Sequence, residues 1–118
     1  MREIIVENYI RKYLEYNNWS LIPRKNNRGI DIEATKDSRK AIIEVKGCGV
    51  HKTAMRNNFN YVFGQILKDM QDNNAEYYVA FPHIQPYIGL WDSIPKLAKD
   101  RTGIKVIWVD IDGKVMGL

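Results

Sequence analysis

Residues 40–46 constrain this chain more than any other segment, because Ile42 and Ile43 stand side by side within them. Successive side chains of a strand point to opposite faces, so these two isoleucines need apolar cover on both sides. A strand of that kind belongs in the interior of a sheet with helices on each face. Glu44 and Lys46 share one of those faces, where an unpaired charge costs on the order of several kcal/mol. As a bare string Glu-x-Lys is common; its setting in an otherwise apolar strand makes it a functional signal.

The preceding segment, residues 29–35, alternates Ile30, Ile32 and Ala34 with Asp31, Glu33 and Thr35, the period of a half-buried strand. Asp37-Ser38 reads as a tight turn. If it is a two-residue hairpin loop, Lys36 faces Arg39 and Asp31 falls directly opposite Glu44. Opposed residues bring their Cβ atoms to about 4.5–5.5 Å, where like charges destabilise, so something positive should sit between these acids. A longer turn that slides the register by two keeps Asp31, Glu44 and Lys46 on one patch. Glu33, one step outward on the Asp31 face, is expected to support the site or meet solvent.

The rest of the chain supplies layers for that sheet. Val6, Tyr9, Ile10, Tyr13 and Leu14 form the stripe of an amphipathic helix over residues 2–17. A strand follows at residues 19–23, with a turn at Asn26-Asn27. Residues 50–57 read as an exposed basic loop, before a helix marked by Phe59, Val62, Phe63, Ile66, Leu67 and Met70 that ends near Asn73-Asn74. Residues 77–81 make a buried strand. Ser93 is placed to cap a helix with Pro95 in its first turn, ended by Gly103. Residues 104–109 form a strand, and Asp112-Gly113 turns the chain into a last one at residues 114–117. The order is α-β-β-β-α-β-α-β-β: an α/β chain with a mixed β-sheet flanked by helices, containing a right-handed βαβ crossover.

At 118 residues the chain has the length of a single domain, 1–118. No apolar stretch reaches the length of a membrane span and the first ten residues do not resemble a signal peptide, so a soluble cytoplasmic protein is expected, with no membrane partner. Cys48 is the only cysteine, which excludes an internal disulfide and a multi-cysteine zinc site. It is expected to pack as a free thiol. There is no glycine-rich phosphate loop, so no nucleotide cofactor is expected.

Eighteen Lys and Arg against fourteen Asp and Glu give a net charge of +4, which favours polyanionic partners. The cations cluster: Arg24, Lys25 and Arg28 precede Asp31, while Lys46, His51, Lys52 and Arg56 follow Glu44. Arg28, His51, Lys52 and Arg56 are therefore the expected phosphate contacts. Two carboxylates beside a phosphate suit Mg²⁺ or Mn²⁺; Mg²⁺ takes oxygen ligands at about 2.0–2.1 Å and retains several waters. The Val45 carbonyl can add a ligand. Such an ion stabilises charge in phosphoryl transfer and acidifies water, with Lys46 placing the water or the scissile phosphate.

Gly29-Ile-Asp31-Ile followed by Ile42-Ile-Glu44-Val-Lys46-Gly47 resembles the signature of the PD-(D/E)xK nuclease superfamily, in particular Mrr-type restriction endonucleases and archaeal-type Holliday-junction resolvases. Ile30 stands where the superfamily's name places proline. The resemblance extends to the order of elements along nearly the whole chain and implies a restriction-endonuclease-like core. It implies Asp31, Glu44 and Lys46 as catalytic residues, with Asp31 and Glu44 as metal ligands. Many members add an acid in the first helix about twelve residues before the aromatic that opens the first strand. That position is Glu7, ahead of Trp19, with Glu3 the less favoured choice. Glu7 is also spaced for an i,i+4 pair with Arg11. Gln65 matches a glutamine used by several branches to touch the site or a phosphate, and is equally readable as a solvated helix residue. Where the recombination branch has tyrosine four residues later, this chain has Asp69.

Together these readings describe a Mg²⁺-dependent DNA endonuclease. With no room for an added target-recognition domain, it is expected to be structure-selective, nonspecific or guided by a specificity-providing partner, and two-fold DNA substrates suit a homodimer. The alternative is a non-catalytic nuclease-fold module that binds nucleic acid or a protein. RNA would yield to the same metal chemistry.

Overall fold

The computed structural model describes residues 1–24 and 29–118. The expected turn at Asn26-Asn27 and the expected phosphate contact Arg28 lie outside the described residues. The elements run α1 (Glu3–Tyr16), β1 (Ser20–Leu21), β2 (Ile32–Lys36), β3 (Arg39–Val45), α2 (Lys52–Asp69), β4 (Glu76–Pro82), α3 (Gln85–Asp92), α4 (Lys96–Thr102), β5 (Lys105–Val109) and β6 (Val115–Met116). The strands form one six-stranded sheet in the spatial order β1-β2-β3-β4-β5-β6. β1, β2 and β3 pair antiparallel, β3–β4 and β4–β5 pair parallel, and β6 returns antiparallel. This is the mixed α/β sheet flanked by helices that the sequence pattern predicts.

The hairpin register follows from its turn. Asp37 takes a left-handed φ of 54°, Lys36 pairs with Arg39, and Ile32 pairs with Ile43. Alternation then sorts β3 between two cores. Ile43 and Val45 join Val6, Ile10 and Leu14 of α1, whereas Ile42 joins Met55, Phe59, Val62 and Ile66 of α2. Glu44, in step with Ile42, therefore points to the α2 side.

The structure departs from the sequence expectations in five places. β2 begins at Ile32, not residue 29, because side-chain carboxylates end the ladder there. α2 begins at Lys52, so Lys52 and Arg56 lie on helical turns and not in a loop; His51 Nδ1 caps it by accepting the Ala54 N–H at 3.2 Å, and buried Met55 continues its apolar stripe. It also ends earlier, at Asp69. An unexpected helix, α3, opens with Pro86 in its first turn and is anchored by Tyr87, fully buried and stacked on Phe81 at 4.6 Å. Ser93 consequently closes α3, its hydroxyl donating to the Leu90 carbonyl at 2.6 Å, and Pro95 occupies the N-cap of α4.

Asp110 serves as a turn residue, its Oδ1 accepting the N–H groups of Asp112 and Lys114 at 2.9 Å. Among the described residues no helix is long and apolar enough to cross a membrane.

Candidate active site

The hairpin opens where the two acids meet. Glu44 Oε1 accepts the Asp31 N–H at 3.3 Å, and Asp31 Oδ2 accepts the Val45 N–H at 2.9 Å. Each carboxyl thus takes a backbone donor that the ladder would otherwise use. Glu44 is only 2% exposed, the one charged residue type in the core among the described residues. Burial, followed by the neighbouring Asp69 and Asp31 carboxyls, pushes its carboxyl up to about 10. The expected positive neighbour approaches from outside: Arg24 Nη2 is 3.5 Å from Asp31 Oδ1.

Lys46 stands beyond the end of β3, 18% exposed, with Nζ 4.7 Å from the Tyr61 ring centroid and 3.8 Å from Glu3 Oε1. Its place depends on Gly47, where a Cβ would collide with the Arg2 and Glu3 backbone. The close approach brings the start of α1 against the end of β3, so Glu3, the less favoured acid of the sequence, is the one that meets Lys46. Partial burial raises the Glu3 carboxyl from its ordinary range, opposed by Lys46 and reinforced by Asp31 and Glu7. Glu7 takes the pairing its spacing allowed: its Oε2 accepts from Arg11 Nε at 3.0 Å. Arg11 also donates to the Asp31 carbonyl at 2.7 Å, tying α1 to the acidic fork.

The α2 side of the site was only partly readable beforehand. Tyr61, Gln65 and Asp69 follow at intervals of four and share one flank of the helix. Tyr61 covers Lys46 and Asp69 reaches Glu44, with Gln65 between them. Gln65 Oε1 and Asp69 Oδ2 are both buried without a hydrogen-bond partner among the described residues. Asp69 registered in the sequence only as a departure from tyrosine; its i+4 spacing from Gln65 was the available signal.

The remaining expected residues lie elsewhere. His51 caps α2, and Lys52 and Arg56 border a groove with α3. Glu33 pairs with Lys40 at 3.0 Å, away from Asp31. Cys48, expected to pack, is exposed in the segment that leaves β3.

Among the described residues, no three carboxylate, imidazole or thiolate side chains are gathered as a ready-made cation site. The donors that do meet are nonetheless all hard oxygens: two carboxylates at an opened strand pair, beside two buried oxygens lacking donors. That chemistry fits Mg²⁺ or Mn²⁺, because Mg²⁺ is commonly held by one or two carboxylates and its own waters.

No family model matches the sequence, and no curated protein matches it. Solved structures do share its fold. An XisH family protein from Nostoc punctiforme PCC 73102 matches with a TM-score of 0.69 at 15% identity, over 95% of this chain and 96% of that one. An fdxN element excision controlling factor protein from Anabaena variabilis gives the same TM-score and identity over 96% of each chain. At this identity the likeness is one of fold.

Proposed function

We propose that this chain is a metal-dependent DNA endonuclease of the PD-(D/E)xK kind, structure-selective, nonspecific or guided by a partner. The supporting observation is the fork itself: a carboxyl buried to 2% exposure, Asp31 facing it across the opened hairpin, and Lys46 two residues on, just past the end of β3. Stability alone does not account for an acid placed so deep beside two other acids. One fold neighbour is named for control of fdxN element excision, which is compatible with DNA as the substrate.

In this reading Asp31, Glu44 and the Val45 carbonyl hold Mg²⁺ or Mn²⁺, with Glu7 the candidate for a further ligand. The bound ion would neutralise charge on the scissile phosphate and acidify water for attack. Lys46, at the rim between α1 and α2, orients the phosphate or the attacking water. Tyr61 and Glu3 restrict where its ammonium can go. Gln65, from the α2 flank, offers its amide to the same space. A homodimer would match a two-fold substrate, and the lone free thiol suits a reducing cytoplasm.

A second reading has its own support. Both carboxyls accept backbone N–H groups, so they can serve as strand caps in a nuclease-fold module that binds without cutting. The purified protein and its Glu44→Ala variant should be incubated with plasmid, linear, single-stranded and four-way-junction DNA in Mg²⁺, Mn²⁺ or EDTA, with RNA as competitor. Metal-dependent cutting lost in the variant supports the nuclease. Salt-sensitive, metal-independent binding without cutting of any substrate establishes the module instead.

A further inference from the structure

A second concave site lies on the other side of α2. Lys52, Arg56, Gln85, Pro86, Gly89 and Leu90 line a groove of about 340 Å³ between the first turns of α2 and α3. At 3.6 residues per turn, Lys52 and Arg56 point from one flank of α2 and Tyr61, Gln65 and Asp69 from the opposite flank. Met55, Phe59, Val62 and Ile66, between them, face the sheet. The groove is therefore separate from the acidic fork, but it is mechanically tied to it. The Tyr87 hydroxyl of α3 donates to the Gly47 carbonyl at 2.6 Å, one residue beyond Lys46.

We propose that this groove holds one unpaired nucleotide of a single-stranded DNA segment that crosses the 47–51 linker from the fork. This rests on the nuclease reading for DNA as the ligand. Three features carry the assignment. None of the six lining residues is acidic, and two exposed cations one turn apart border the groove, so a phosphodiester is the complementary charge. Pro86 and Leu90 supply an apolar lining that suits the face of a base or sugar, while Gln85 supplies both a donor and an acceptor for a base edge. The volume, at the lower end of small-ligand sites, admits a nucleotide-sized group and not the width of a duplex. A duplex backbone would call for a flatter cationic surface, with no use for the apolar lining.

The test measures binding in EDTA, so it does not depend on cutting. Labelled single-stranded DNA and a blunt duplex of the same sequence are titrated by fluorescence anisotropy across a salt series. Wild type is compared with a Lys52→Ala/Arg56→Ala double variant and with Gly89→Trp. A Cβ at Gly89 meets nothing within 4 Å, so the bulky side chain can fill the groove without changing charge or disturbing the fold. Melting curves confirm that both variants are folded.

The double variant is expected to weaken single-strand binding at least about tenfold and to lower its salt slope by about 1.4, the value for two lost phosphate contacts. Gly89→Trp should weaken single-strand binding by a similar factor while leaving duplex binding within about threefold of wild type. Equal losses for both DNA forms, or unchanged single-strand binding in Gly89→Trp, overturn the proposal. So does displacement of the strand by millimolar dAMP from wild type and Gly89→Trp alike, since the nucleotide would then be bound outside the groove. A wild-type protein that binds neither DNA form also overturns it, leaving the groove to a protein partner. Selective single-strand binding with no cutting in Mg²⁺ or Mn²⁺ upholds the groove and removes the nuclease reading.

Discussion

Asp31 and Glu44 each close the other's strand: the Glu44 carboxyl accepts the Asp31 N–H at 3.3 Å, and the Asp31 carboxylate accepts the Val45 N–H beside Glu44 at 2.9 Å. The regular ladder stops one pair earlier, at Ile32 and Ile43. Two like-charged side chains are thereby held in register by the backbone groups they satisfy. Burial of Glu44 favours its neutral form, which limits their repulsion.

Replacing Glu44 with glutamine should stabilise the metal-free protein at neutral and alkaline pH. The folded carboxyl is raised to about 10 from 4.5, first by burial and then by the neighbouring Asp69 and Asp31 carboxyls. The folded state keeps a proton that the unfolded chain releases above about 4.5. The stabilisation is therefore complete below that pH and is lost as pH rises towards the folded value. In EDTA the wild-type melting temperature should fall between pH 5 and pH 8. Glu44→Gln should stay level and finish higher by on the order of 5 °C. Parallel curves would mean that Glu44 is ionised in the fold.

Asp69→Asn should shift the site to work at lower pH. The carboxyl of Asp69 disfavours ionised Glu44, whereas an amide N–H in its place stabilises the carboxylate. The acidic limb of the Mg²⁺-dependent cutting profile, or of Mg²⁺ binding followed by calorimetry, should move down by about one pH unit. Asp69→Ala, which supplies no donor, should move it less. Identical limbs in all three proteins would leave Asp69 a packing residue only.

Gly47→Ala should be costly for its size. The added methyl meets the Arg2 and Glu3 backbone, and α1 cannot retreat without breaking its packing against β3. A loss of about 1–3 kcal/mol in urea unfolding is expected. The displacement would also separate Glu3 from Lys46, so cutting should fall further than stability alone explains. A near-neutral effect on both would show that the helix start yields freely.

At the opposite end of the sheet, Glu76 should contribute stability that acid removes. Arg39 donates two hydrogen bonds to it at 2.7 and 2.8 Å, and the Tyr78 hydroxyl donates a third at 2.7 Å. Its carboxyl is lowered to about 2, mainly by the Arg39 hydrogen bond. This contribution is complete above about 4.5 and disappears as pH falls through 2. Glu76→Gln should cost about 1 kcal/mol at pH 7, since Arg39 is half exposed and screened, and the difference from wild type should close as the folded carboxyl protonates. A gap that persists at pH 2 would assign the loss to packing.

What the sequence determined by itself was local or periodic. A two-residue turn at Asp37-Ser38 sets the pairing of β2 with β3, so Asp31 opposite Glu44 followed from counting. The pair Ile42-Ile43 required a strand covered on both faces, because alternation admits no other arrangement. The α/β order followed from the same periods, with the exception of α3.

That helix shows what only the tertiary structure decided. Residues 85–92 make only two turns of helix, anchored where Tyr87 fits between Phe81 and the Gly47 carbonyl. The choice of Glu3 over Glu7 as the acid beside Lys46 depends on how closely α1 approaches β3 at Gly47. The meeting of Asp69 with Glu44 depends on which turn of α2 lies over which residue of β3. Periodicity identifies the face of a helix that turns inward, but not its offset along the strand beneath. That offset is set by packing between residues far apart in sequence, and it places the second half of this site.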